Sequence, residues 1–191
     1  MQGGIRTVEN EDRVVEITFS SEEPYTRWWG VEILDHSEGC MVLERLKSTG
    51  CVLFNHNRDY VIAKIEKAWC DRNRGHAKIR FDEDEKSDAI YQKVKGGTLK
   101  GVSVGYLVDI WEEVGAAKKS ADGRFTGPCS IAKRWTPYEI SIVSVPADPT
   151  VGVGRGMQSG PETVHENEKY VPTIQERQLQ INENLDKEEE G

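Results

Sequence analysis

Residues 14–155 predict an α+β domain: a small, mostly antiparallel β-barrel flanked by a few helices. Three observations carry this. Six or seven short apolar runs alternate with period two, one segment has the composition of a well-capped helix, and a serine, a histidine and a carboxylate fall on three separate runs. At 191 residues, 37% of them apolar, the chain can bury one good core, so a single compact domain is expected.

The elements follow in order. Residues 1–13 are polar and read as a flexible start. The run 14–20 (VVEITFS) is a first strand, ended by Glu22-Glu23-Pro24, since proline cannot donate to a ladder. A second strand covers 28–34 (WWGVEIL). Residues 41–47 place Val42, Leu43 and Leu46 on one stripe and predict a short helix. In 50–57 (GCVLFNHN), Val52, Phe54 and His56 share a face, so His56 caps a strand at its exit. Residues 61–70 and 75–81 predict a hairpin joined by the polar turn 71–75, with His76 facing solvent.

The segment 82–97 is the best helix. Acids fill its first turn, Lys93 and Lys95 its last, Gly96-Gly97 supplies the cap, and Ala89, Ile90 and Val94 form the apolar stripe. It leads into 98–111 (TLKGVSVGYLVDIW), a strand with Ser103 and Gly105 on one face and Val102, Val104 and Tyr106 on the other. Residues 112–134 are polar and contain glycine, and predict a loop or hairpin outside the core. A last strand starts at Trp135. It carries Glu139, Ser141 and Val143 on one face, and Pro146 and Pro149 stop it.

Charge divides the chain. From residue 156 onward there are nine acids and three bases, net −6, which leaves −2 of the total −8 for residues 1–155. The region 156–191 therefore reads as an acidic linker and tail, disordered or helical only on a partner. No basic face points to nucleic acid, and no apolar run has membrane-spanning length. A soluble protein in a reducing cytoplasm is expected, with Cys40, Cys51, Cys70 and Cys129 reduced and mostly buried. A zinc set could be assembled from His36, Cys40, Cys51 and His56, but it lacks a CxxC knuckle.

Ser103, His56 and Glu139 together supply the residue types of nucleophilic hydrolysis. Serine needs a base to take its proton, and an imidazole needs a third group to fix its tautomer. Each also has an ordinary reading: a polar strand position, a turn histidine, and a carboxylate paired with a nearby lysine or arginine.

The blocks 53–57 (LFNHN), 97–106 (GTLKGVSVGY) and 138–149 (YEISIVSVPADP) resemble, in this order and spacing, the signature blocks of the prohead (capsid maturation) serine proteases of tailed bacteriophages. The resemblance runs from about residue 14 to 155. It implies a fold similar to the herpesvirus assembly protease and a serine endopeptidase without a cofactor. That enzyme works in the host cytoplasm inside the immature capsid, on scaffold or the capsid protein's scaffolding segment, and on itself. His56 then matches the general base, Ser103 the nucleophile and Glu139 the third member, with Asp148 as the alternative. A homodimer is implied by analogy with the herpesvirus enzymes, and self-cleavage is expected between Arg155 and Glu176. The competing classes are a non-catalytic β-barrel assembly module that recruits a partner through the acidic tail, and a cysteine hydrolase using Cys51 or Cys70.

Overall fold

The computed structural model describes residues 12–147 and 151–153. They form β1 (Val14–Ser21), β2 (Tyr25–Arg27), β3 (Gly30–Leu34), α1 (Glu44–Thr49), β4 (Cys51–Phe54), β5 (Asn57–Asp71), β6 (Arg74–Phe81), α2 (Glu85–Lys95), β7 (Gly101–Val114), β8 (Cys129–Val143) and β9 (Gly152–Val153). The α+β class holds: the described residues are mostly sheet, with two helices. The expected barrel is not closed by hydrogen bonds. The strands run β2-β3-β8-β4-β5-β6-β1-β9, with β7 on β8, and no ladder joins the ends among the described residues. Asp148 and the region 156–191 lie outside the described residues.

Strand β8 organises the sheet. One edge pairs antiparallel with β7 along its whole length. The other pairs parallel, first with β3 at Ser130–Ala132 and then with β4 at Ile140–Ile142. A strand hydrogen-bonded on both edges and packed on both faces must be apolar or internally satisfied. Accordingly Ile131, Ala132, Trp135, Ile140, Ser141 and Ile142 are fully buried.

This corrects the reading of 112–134 as a loop outside the core. Only 115–128 connect β7 to β8, while Val114, Cys129 and Ile131 pack with Ile33 in a second apolar cluster. The polar residues that suggested a loop have specific partners. Asp35 is fully buried and receives Lys133 Nζ and Arg124 Nη2, both at 2.5 Å, as well as the Ser37 backbone N–H. Arg124 also reaches Glu22 Oε1 at 2.9 Å, so one guanidinium fastens the β7–β8 connection to the β1 and β3 ends.

Smaller corrections have equally local causes. The run 28–34 is broken, because Trp28 and Trp29 form the turn between β2 and β3. Trp28 is left 74% exposed and Trp29 packs edge-on to Trp111. The β5–β6 turn is tighter than predicted: it is the pair Arg72-Asn73, both at positive φ, as a two-residue hairpin loop requires. His76 is half-buried, stacked on Trp69 and hydrogen-bonded to Thr18 Oγ1. Helix α1 begins at Glu44, later than expected, with Leu46 as its buried anchor.

Helix α2 matches its capping and charge signals. The Asp84 side chain accepts the Lys86 and Ser87 N–H groups, Lys93 and Lys95 lie in the last turn, and Gly97 adopts φ 74° just beyond it. Ile90, Tyr91 and Val94 bury its inner face against β5 and β6, whereas Ala89, expected on that stripe, is exposed and Tyr91 takes its place. Each such side chain contributes about 1.5–3 kcal/mol. The helix thereby fixes where the chain re-enters the sheet as β7.

Candidate active site

The site is assembled by strand register. In the β7–β8 ladder Ser103 lies opposite Ser141 and Gly105 opposite Glu139. Directly opposed residues share a face, with Cβ atoms roughly 4.5–5.5 Å apart, so these four positions form one small patch. The other face carries Val102, Val104, Ile140 and Ile142 into the core.

His56 reaches this patch from a tight turn. Asn55 and His56 have φ 52° and 58° between the paired residues Phe54 and Asn57, the backbone of a type I′ two-residue loop. The end of β8 holds that turn. Asn55 N–H donates to Ile142 O at 3.0 Å, the Ser144 N–H donates to Asn55 Oδ1 at 3.0 Å, and the His56 N–H donates to Ser141 Oγ at 3.1 Å. His56 is therefore not the end of a strand, as the alternation suggested, but the second residue of a clamped turn.

The imidazole and the carboxylate meet. His56 Nδ1 lies 2.7 Å from Glu139 Oε1, and Ser141 Oγ donates to Glu139 Oε2 at 2.9 Å. A carboxylate can only accept, so the hydrogen on this side of the imidazole sits on Nδ1 and Nε2 is left able to accept a proton. Glu139 is 8% exposed, while the His56 side chain is 47% exposed. One member is thus dry and fixed, and the other faces the opening.

Ser103, His56 and Glu139 line one cavity of about 430 Å³. Ser103 Oγ makes no hydrogen bond to the protein among the described residues. The residues 102–106 of β7 all contribute to the lining. Side chains alternate along a strand, but the ladder shifts register between Gly105 and Tyr106, so the lining takes in residues of both faces together with the outer edge of β7. That edge has no hydrogen-bonded neighbour among the described residues, since β7 pairs with β8 alone. The lining also includes Phe19, Ser20 and Ser21 of β1, together with Arg27 and Glu32 beside Tyr106. There Tyr106 O–H donates to Glu32, and Arg27 Nη2 donates to Tyr106 Oη at 2.7 Å. Burial and the adjacent Glu32 carboxylate push the Tyr106 hydroxyl well above the ordinary phenol range.

The alternative sets are not brought together. His36 is buried in the core beside Trp135, between Ser20 Oγ and Leu34 O, each at 2.8 Å from a ring nitrogen. Among the described residues no three metal-ligating side chains converge. The four cysteines are unpaired; Cys40 and Cys129 are buried, Cys51 is half-buried and Cys70 exposed. Burial pushes all four thiols up, the opposite of what an activated thiolate needs.

A family model described as the caudovirus prohead serine protease matches residues 40–163, a span containing the β4–β5 turn, β7 and β8. The chain belongs to that family. It is also 37% identical, over 149 residues, to a protein of Halomonas phage phiHAP-1 named major capsid protein. The match takes in 76% of this chain and 24% of that relative, so the chain spans about a quarter of the relative's length. No solved structure matches the chain.

Sequence reasoning missed Ser141 as part of the patch. Its signal was available: it shares a face with Glu139 two residues earlier on the same strand.

Proposed function

We propose that this chain is a serine endopeptidase of phage capsid maturation. The observation that carries the reading is the 2.7 Å contact between His56 Nδ1 and Glu139 Oε1 in the cavity that Ser103 lines. In this reading His56 Nε2 takes the Ser103 Oγ proton as the oxygen attacks a peptide carbonyl. The same nitrogen then returns the proton to the leaving amine, and water hydrolyses the acyl-enzyme by the reverse sequence. Glu139 holds the imidazole in the productive tautomer and stabilises the imidazolium. It does so from a site already desolvated and hydrogen-bonded, so little reorganisation accompanies proton transfer.

The free β7 edge supports a peptide as substrate, because an extended chain can add to such an edge by main-chain hydrogen bonds. The family supports a capsid setting, and the relative's name supports a capsid protein or its scaffolding segment as the partner, with the prohead interior as the place of action. Kinship in fold with the herpesvirus assembly protease is part of the same proposal. Strands β1 and β9 both approach β7, so the open ladder nearly returns on itself around the cavity. Self-cleavage would fall between Arg155 and Glu176, downstream of β9, whose preceding residue Val151 lines the cavity.

Mass spectrometry of wild type beside Ser103→Ala, incubated at neutral pH alone and with a capsid-protein scaffolding segment, tests the reading. Shortened products in wild type only are expected. Identical products in both would move the nucleophile elsewhere. Intact chains in every sample would favour a non-catalytic assembly module.

A further inference from the structure

Each oxygen of the Glu139 carboxylate has one partner: Oε1 accepts from His56 Nδ1 and Oε2 from Ser141 Oγ. The Ser141 oxygen also accepts the backbone N–H of His56 at 3.1 Å. A hydroxyl has one proton and two lone pairs. Here the proton is committed to the carboxylate, which cannot donate, and a lone pair to the amide. One fully buried oxygen therefore references both ends of the Glu139–His56 bond: the rotation of the carboxylate, and the backbone of the residue that carries the imidazole.

That reference matters because His56 sits at φ 58°, a conformation a β-carbon disfavours and surrounding contacts must hold. Ser141 is also the ladder partner of Ser103, so the oxygen that fixes the base is on the residue directly opposite the nucleophile. A shift of the turn would move the imidazole relative to both.

We propose that Ser141 is a positioning residue, holding the Glu139 carboxylate and the His56 turn in one register so that the imidazole is aimed at Ser103. This role rests on the assignment of Ser103, His56 and Glu139 as the reacting set. Ser141 does not touch the substrate, and acts through the other two.

The test uses a fluorophosphonate probe, which needs no knowledge of the natural substrate. Ser103 Oγ attacks phosphorus, fluoride leaves, and the Ser103 proton passes to His56. Labelling rates are compared for wild type, Ser141→Ala, Ser141→Thr and Ser103→Ala, at a temperature where circular dichroism shows each to be folded. Ser141→Ala is expected to slow labelling by about 10- to 100-fold, the scale of a misplaced catalytic group. Ser141→Thr, which keeps the hydroxyl, restores the rate; if threonine does not fold there, Ser141→Cys, with a weaker donor, gives an intermediate one. A second readout needs no reaction: the downfield proton resonance of the His56 Nδ1–H held by Glu139, followed in the Ser103→Ala background. It moves upfield or exchanges away in Ser141→Ala.

Labelling as fast as wild type, with the resonance unchanged, would overturn the proposal. So would a stability loss in Ser141→Ala that leaves both readouts intact, since that is a structural role only. Failure of wild type to label at all rejects the Ser103 assignment instead, while the resonance still decides the role of Ser141.

Discussion

Gly105 faces Glu139 across the β7–β8 ladder, and a β-carbon placed on Gly105 would lie 2.5 Å from Glu139 Oε1. It would also come within 2.8 Å of the Tyr138 ring. The carboxylate that holds His56 thus occupies space that exists only because residue 105 has no side chain. In the fold, the space beside Gly105 on the Ser103 face is filled by the Glu139 carboxylate.

Gly105→Ala is accordingly expected to keep the fold and lose the site. The methyl must push Oε1 aside, and Oε1 is the atom that accepts from His56. Fluorophosphonate labelling of Ser103 should fall by about 10- to 100-fold, with a small change in melting temperature. Unchanged labelling would mean that Glu139 does not need this position to serve His56.

The positive φ of His56 gives a second prediction, independent of catalysis. His56→Ala and His56→Gly remove the same imidazole, so their difference reports the backbone alone. Glycine at φ 58° carries no β-carbon penalty, and His56→Gly should be more stable than His56→Ala by about 1 kcal/mol. Chemical denaturation of the pair measures it. Equal stabilities would show that the turn relaxes when the ring is removed. Both variants are expected to be inactive, so a residue tolerated at an energetic cost is the one the chemistry needs.

The buried Asp35 predicts an acid limit to stability. Burial alone would raise its pKa, but hydrogen bonds from Lys133, from Ser37 and from Arg124 outweigh it and hold the carboxyl well below the usual carboxylate range. A carboxyl depressed in the folded state binds fewer protons there than when unfolded. Its contribution is therefore fully present above the ordinary aspartate pKa of about 4 and is lost as pH falls below it. Stability measured between about pH 6 and 2 should decline more steeply in wild type than in Asp35→Asn. At neutral pH Asp35→Ala should cost about 2–4 kcal/mol, because it strips charge-assisted bonds from Lys133 and Arg124. Parallel pH curves for wild type and Asp35→Asn would rule out this residue as the acid-sensitive group.

How far these features could be read in advance depends on whether local chemistry or long-range pairing decided them. Helix α2 was legible because Asp84, Lys93, Lys95 and Gly96-Gly97 act within one or two turns of themselves. The faces of β7 were legible from alternation between Val102 and Gly105, and His56, Ser103 and Glu139 do line one cavity. Register shifts further along the strand, however, leave Ile110 52% exposed and pack Trp111 against the core. The extension of β8 back to Cys129 was not legible, because Lys133 looks like a solvent residue until the buried Asp35 is placed beside it. The Asn55-His56 turn was missed for a related reason. Its left-handed residues are stabilised by Ser141 and Ser144, more than eighty positions away, and not by a glycine in the turn itself. Closure of the sheet is a property of strand order, which alternation does not encode.

The thiols supply a last prediction that separates serine from cysteine chemistry. Cys70 is exposed, yet burial of its sulfur environment and the nearby Glu22 and Asp71 carboxylates push its thiol up, so little thiolate is present at neutral pH. Its Sγ lies 3.4 Å from His36 O, which offers an acceptor but no base. Cys51 is half-buried, and its thiol is raised by burial and by the Glu139 charge, so the acid that assists His56 works against a thiolate there. A maleimide reagent should therefore modify Cys70 slowly and first, Cys51 more slowly, and Cys40 and Cys129 only on unfolding. Intact-mass analysis follows the order of modification, and fluorophosphonate labelling of the same samples reports the site. Full labelling of Ser103 after Cys70 is blocked is the expected outcome. Loss of labelling in step with Cys51 modification would instead place that sulfur in contact with the reacting groups, and Cys51→Ser would then have to reproduce the loss without any reagent.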